Sequence, residues 1–244
     1  MMMFLVMPVL SNIPSGLEDQ PISKPIVIML LLVVLSLAPF LLMMTTSFVK
    51  LSVVFSLIRS ALGTQQIPPN QIVTGLALIL TVYIMLPVGN DIYQKTSGVI
   101  RESGTNQALL SMASVDMMKK AVDVGKEPMR EFLMKHSSVK DRGLFFNLAR
   151  QLNGKKEGVN LAENDFMVII PAFVITELTE AFQIGFVIFL PFLVIDMVVS
   201  NILLAMGMFM VSPVTISLPF KLLLFVLVDG WYLITKGLIL GYVK

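Results

Sequence analysis

Charge is distributed so unevenly along this 244-residue sequence that the distribution itself limits how the chain can fold. Between Gly89 and Asn164 lie 21 of its 34 Asp, Glu, Lys and Arg residues, and the other 168 residues share thirteen. A charged side chain needs water or a partner, so the middle of the chain belongs in water and its flanks in an apolar medium. The sequence therefore divides into an apolar N-terminal block (1–88), a polar insert (89–164) and an apolar C-terminal block (165–244). Hydrophobic residues make up 56% and charged residues 14%, against roughly 25% charged in an average soluble domain, which excludes an ordinary soluble enzyme. A net charge of +2 excludes nucleic acid as the main partner. Cysteine is absent and His136 is the single histidine, so disulfides, thiolate chemistry and Cys/His metal cages are excluded; no metal or cofactor is expected.

The apolar blocks read as membrane helices. Pro25–Met44 is a run of 20 uncharged residues, enough at about 1.5 Å per residue to cross roughly 30 Å of hydrocarbon. Upstream, Met1–Leu10 is apolar but has no basic n-region and no clear cleavage motif, so a cleaved signal peptide is not the favoured reading. Thr45–Gly63 keeps an apolar rhythm but carries Lys50 and Arg59, and so needs a protein neighbour or an interface. Pro68 and Pro69, in GTQQIPPNQ, turn the chain, and Gln71–Val88 follows as a second uncharged run ending at Pro87. Phe186–Val211 and Phe220–Leu240 are the remaining spans, with Asp196 in the first and Asp229 near the middle of the second. Pro171, Pro191, Pro213 and Pro219 each remove a backbone donor and favour kinks. The insert shows helix-like apolar spacing from Asn106 to Asn153, predicting two or three amphipathic helices with loops at Lys126–Pro128 and Leu152–Gly158. The fold class is thus an all-α membrane protein: kinked apolar helical hairpins with a small helical insert. Lys50, Arg59 and Lys221 favour cytoplasmic connections, which puts the N-terminus and the insert on the far side.

A central Asp facing lipid costs roughly 2.5–3.5 kcal/mol on insertion scales, so the intramembrane charges require pairing between helices or subunits. Lys50, Arg59, Glu177, Glu180, Asp196, Lys221 and Asp229 are the candidates. Glu177 and Glu180 share a helical face and admit an acid–base or cation-binding reading, but ion pairing with Lys50 or Arg59 explains them more simply. Asp196 and Asp229 admit a second function, a small-ion or solute transporter with titrating carboxylates. An intramembrane protease would require other contexts than VIDMV and LVDGW. His136 lies among lysines and reads as a solvated surface residue, and no nucleotide-binding motif is present. Methionine is frequent, 18 of 244, and in LLAMGMFMVSP the residues Gly207 and Ser212-Pro213 interrupt the helix around Met208, Phe209 and Met210. Unbranched, polarizable methionines adapt to variable shapes. A ring of such loops would form a soft constriction that yields to a passing chain, and plain packing is the simpler alternative.

ALGTQQIPPNQ (Ala61–Gln71), ELTEAFQIGFVIFLPFLVIDMVV (Glu177–Val199) and GMFMVSPVTISLPFKLLLFVLVDGW (Gly207–Trp231) resemble the R subunit of the bacterial type III secretion export gate, the family whose flagellar counterpart is FliP. TSFVKLSVVFSLIRSALG and ITKGLILGYVK lean towards the injectisome branch. The resemblance implies a non-enzymatic homo-oligomer that assembles with S and T subunits, in membrane lipid, into a helical conical pore for unfolded secretion substrates. It implies residence in the inner membrane, with the complex projecting towards the periplasm. It also implies a methionine gasket. The family's GMMM run falls on Gly207–Met210, with Phe209 in place of the middle methionine.

Overall fold

In the computed structural model the described residues are 24–64, 67–102, 112–153 and 162–243. All regular structure among them is helical: α1 (Lys24–Thr45), α2 (Phe48–Leu62), α3 (Asn70–Glu102), α4 (Met112–Lys135), α5 (Val139–Asn153), α6 (Phe166–Ala205), α7 (Pro213–Leu227) and α8 (Gly230–Val243). The all-α membrane reading stands. Asn70–Gly98 and Phe166–Ala205 are each long and apolar enough to cross a membrane, and the pairs α1–α2 and α7–α8 are two further, broken candidates. The apolar start Met1–Leu10, residues 106–111 and the loop residues 154–158 lie outside the described residues.

Prolines punctuate these helices less than their sequence positions imply. Helix α3 does not end at Pro87 but runs on to Glu102, and α6 continues through Pro171 and Pro191 for 40 residues, about 60 Å. Lys126–Pro128 is not a loop either, since α4 passes through it. Each internal proline forfeits one bond to the carbonyl four residues back, and the flanking turns carry the helix across. The breaks come instead at residues that reverse the backbone. Gly63 closes α2 with φ 75°, its N–H on the Ser60 carbonyl at 3.1 Å. The expected single span Phe220–Leu240 is in fact two helices bent by 59°, because Asp229 takes a left-handed conformation (φ 51°). Pro213 starts α7 at its first turn, where a missing N–H costs nothing.

The described residues form two compact units, one drawn from Met1–Thr46 and Val88–Phe173, the other from Ser47–Pro87 and Val174–Lys244. In the first, α4 rests on the C-terminal half of α3 at Gly125, where a Cβ would stand 3.3 Å from Thr96 Oγ1. Phe132 is buried between the His136 ring at 4.8 Å and the Phe173 ring at 5.8 Å. Arg142 Nη1 donates to the Met134 and Ser137 carbonyls at 2.7 Å each, satisfying acceptors that the end of α4 leaves open.

The second unit is built around α2. Val49, Lys50, Leu51, Val54, Phe55, Ile58, Ala61 and Leu62 are buried at helical spacing. Burying an apolar side chain such as Leu51, Phe55 or Ile58 contributes roughly 1.5–3 kcal/mol. Lys50 meets Glu177 and Glu180, and further along α2 Leu57 closes on Gly185, so α2 and α6 run in the same direction. The bent arm α7–α8 returns along α6: Lys221 lies at Asp196, Phe225 at Phe192 and Tyr242 at Glu177. Trp231 fills the bend, edge-on to Phe225 at 5.3 Å and 6.4 Å from Phe55.

Candidate functional site

Two ionic clamps hold this hairpin, and in both α6 supplies the acid. In the first, Lys50 Nζ lies 3.0 Å from Glu177 Oε1 and donates to Glu180 Oε2 at 2.7 Å. The Lys50 and Glu177 side chains are 4% and 1% exposed, whereas Glu180 is half exposed. The Tyr242 ring covers the ammonium at 4.3 Å and its hydroxyl donates to Glu177 Oε2. Cation, carboxylate and phenol thus join α2, α6 and α8, and each satisfies groups that would be costly to bury alone.

The second clamp lies 16 residues further along α6. Lys221 Nζ donates to Asp196 Oδ2 at 2.7 Å and to the Ala61 carbonyl at 3.5 Å. Ser217, one turn before Lys221, donates to Asp196 Oδ1 at 2.5 Å. The ammonium therefore sits at the C-terminal end of α2, where the helix dipole favours a cation. The two remaining candidates are placed differently. Arg59 donates to the Asn70 side-chain carbonyl at the start of α3, with no carboxylate within ion-pair distance among the described residues. Asp229 is exposed at the α7–α8 break; among the described residues neither Arg59 nor Asp229 meets an opposite charge, and no bond joins Asp229 to Asp196. No group of three His, Asp or Glu that would hold a metal ion occurs among the described residues.

Between the clamped arms the chain crosses over in residues 206–212. Gly207 (φ 74°) donates to the Leu204 carbonyl at 3.0 Å and Met208 to the Leu203 carbonyl at 2.9 Å. Those two bonds form a Schellman cap, which needs a left-handed residue at the glycine position. Having closed α6, the chain presents Met206, Met208, Phe209 and Met210 outward, with Met210 fully exposed. Four large apolar side chains stand open at a hairpin tip whose base is fixed by buried ion pairs.

The FliP family model matches residues 31–238 of this chain. The chain belongs to the FliP family. It is 47% identical over 218 residues to "Yop proteins translocation protein R" of Yersinia pestis, covering 88% of this chain and 95% of that protein. It is 43% identical over 231 residues to "Flagellar biosynthetic protein FliP" of Bacillus subtilis, covering 95% and 98% respectively. With "Hypersensitivity response secretion protein HrcR" of Ralstonia nicotianae the identity is 40% over 211 residues, 86% of this chain and 94% of that protein.

Sequence reasoning missed two members of the clamps in this FliP-family chain. Ser217 carried a signal, since it lies four residues before Lys221 and shares its helical face. Tyr242 carried none, because a tyrosine near the end of an apolar helix reads equally well as an interfacial anchor.

Proposed function

We propose that this chain is a subunit of a type III secretion export apparatus in the bacterial inner membrane. Copies of it, together with S and T subunits, line a conduit for unfolded polypeptides and project towards the periplasm. The observation that carries this reading is the Met206–Met210 loop: apolar, outward-facing, and fixed at the tip of a hairpin by Gly207 and two ionic clamps. A monomer in water has no use for such a loop, whereas a ring of them forms a compliant apolar seal. Met208 and Met210 supply soft layers of that seal, and Phe209 a stiffer one between them. Only 17% of the most apolar stretch of α6 is buried within the described chain, leaving its surface to lipid and neighbouring copies. Arg59 and Asp229, without an opposite charge among the described residues, are the charges such neighbours would meet. The chain moves polypeptide without chemistry of its own, and the driving force comes from elsewhere in the apparatus.

The relatives' names, a translocation protein, a secretion protein and a flagellar biosynthetic protein, support export over solute transport. Engagement of Asp196 by Lys221 and Ser217 leaves the transporter reading without a free carboxylate pair. The test is trapping in the assembled apparatus. The chain has no cysteine, so Met208→Cys or Met210→Cys introduces a unique thiol. Either is expected to form a disulfide with a cysteine in a stalled secretion substrate, and failure at both sites refutes the seal.

A further inference from the structure

The two flanks of the α6–α7 hairpin differ in chemistry just below the methionine loop. One flank is a groove of about 420 Å³ whose walls include Val194, Val198, Ile202, Met206, Ile216 and Phe220, all apolar. The other is a recess of about 460 Å³ lined by Asp196, Met197, Ser200, Asn201 and Pro213. At about 100° per residue, Asp196 and Ser200 lie on the side of α6 roughly opposite Val198 and Ile202, while Met197 and Asn201 form the edge of the recess between the two flanks. Asp196 in the recess is already bound to Ser217 and Lys221. The side chains of Ser200 and the exposed Asn201 are different, since neither makes a hydrogen bond to another described residue.

Unspent hydrogen-bonding groups on a helix as apolar as α6 are costly against hydrocarbon and are tolerated beside water or a polar partner. A side-chain amide offers both donor and acceptor, the complement of a peptide unit. Resting on the conduit reading, we infer that this recess faces the lumen and is a binding step for the main chain of the passing polypeptide. Asn201 and Ser200 hydrogen-bond its peptide groups immediately beneath the methionine loop. Main-chain amides are common to every substrate, so such a step grips an extended chain without reading its sequence. A polypeptide pulled through the apolar loop sheds water from its amides there, and Asn201 offers replacement partners at the point of loss. The apolar flank then faces lipid or neighbouring subunits.

The experiment uses the full apparatus carrying a secretion substrate that stalls in transit and bears one cysteine. Asn201→Cys, Ile202→Cys and Met210→Cys are compared for disulfide trapping, Ile202 being an exposed wall of the apolar groove. Trapping at Asn201 and Met210 but not at Ile202 is the expected result. Trapping at Met210 without Asn201, or at Ile202 as strongly as at Asn201, overturns the recess assignment and leaves the conduit standing. Absence of trapping at both Met210 and Asn201 overturns the conduit reading along with it. Asn201→Leu, which keeps the volume but not the hydrogen bonds, is expected to lower the secretion rate about fivefold, the equivalent of one lost bond, with Asn201→Gln nearer the parent. Secretion by Asn201→Leu at the parental rate, in an apparatus of normal subunit content, also overturns the assignment.

Discussion

Replacing Lys50 by methionine tests whether charge, rather than packing, holds the second unit together. Methionine retains the length of the lysine stem and removes the ammonium, leaving Glu177, 1% exposed, with Tyr242 as its remaining donor. Removing one partner of a buried pair costs about 3–5 kcal/mol, because the other charge stays buried and uncompensated. Glu180 adds little, since its half-exposed carboxylate turns to solvent. For a chain of this size that loss lowers the thermal midpoint by roughly 6–20 °C, at about 2–4 °C per kcal/mol. The sole tryptophan, Trp231, packs on Phe55 and Phe225 inside the same unit, so its fluorescence in detergent reports this unit's unfolding directly. Neutralising the acid as well, in Lys50→Met with Glu177→Gln, removes the buried charge and keeps an acceptor for Tyr242. The double variant is expected to recover more than half of the lost midpoint. Equal midpoints for the single and double variants would refute an electrostatic clamp and assign the loss to packing of the lysine stem. A single variant that melts with the parent would show that the clamp holds nothing.

The glycines give two sharper tests. A Cβ at Gly230 would stand 2.4 to 2.7 Å from three atoms of the Phe225 ring, which Trp231 and Phe192 hold in place. Gly230→Ala is therefore expected to cost about 1–3 kcal/mol in the same fluorescence melt, while Gly237→Ala, which meets nothing within 4 Å, leaves the midpoint unchanged or higher; matching losses would refute the packing account. Gly207 also has open space around it, so Gly207→Ala tests backbone conformation alone, at about 1–2 kcal/mol for a left-handed alanine. Secretion rates are expected to fall in the order Gly207, Gly207→Asn, Gly207→Ala, since asparagine tolerates that conformation better; an alanine variant equal to the parent would show that the cap does not position the loop.

Much of this architecture is legible in the sequence because burial in an apolar medium leaves few options. Uncharged runs of eighteen or more residues announce helices, and charges inside them announce partners. Glu177 and Glu180 spaced three apart already imply one face, with Lys50 or Arg59 as the cation to meet it, and the structure selects Lys50. Gly207 before two methionines and a phenylalanine marks the loop. The helix ends were harder to read, because a proline inside an apolar segment costs one hydrogen bond and the surrounding turns outweigh it, as at Pro87, Pro128 and Pro191. Which charge pairs with which depends on helix directions set by contacts far apart in sequence, such as Leu57 on Gly185 and Phe225 on Phe192.

Asp196 and Asp229 look alike in the sequence, each a lone carboxylate within an apolar run, yet they are accommodated in opposite ways. Asp196 keeps its helix and finds Lys221 and Ser217 across the hairpin. Asp229 has no such partner within the described chain, and the helix breaks there instead, with the carboxylate exposed and the backbone left-handed. The break has a structural consequence as well, since it swings α8 through 59° and lets Tyr242 reach Glu177. A continuous helix from Phe220 to Val243 would carry Tyr242 away from α6 and leave the first clamp without its phenol. The unpaired acid thus sets the bend that lets the far end of the same arm complete the clamp on Lys50 and Glu177.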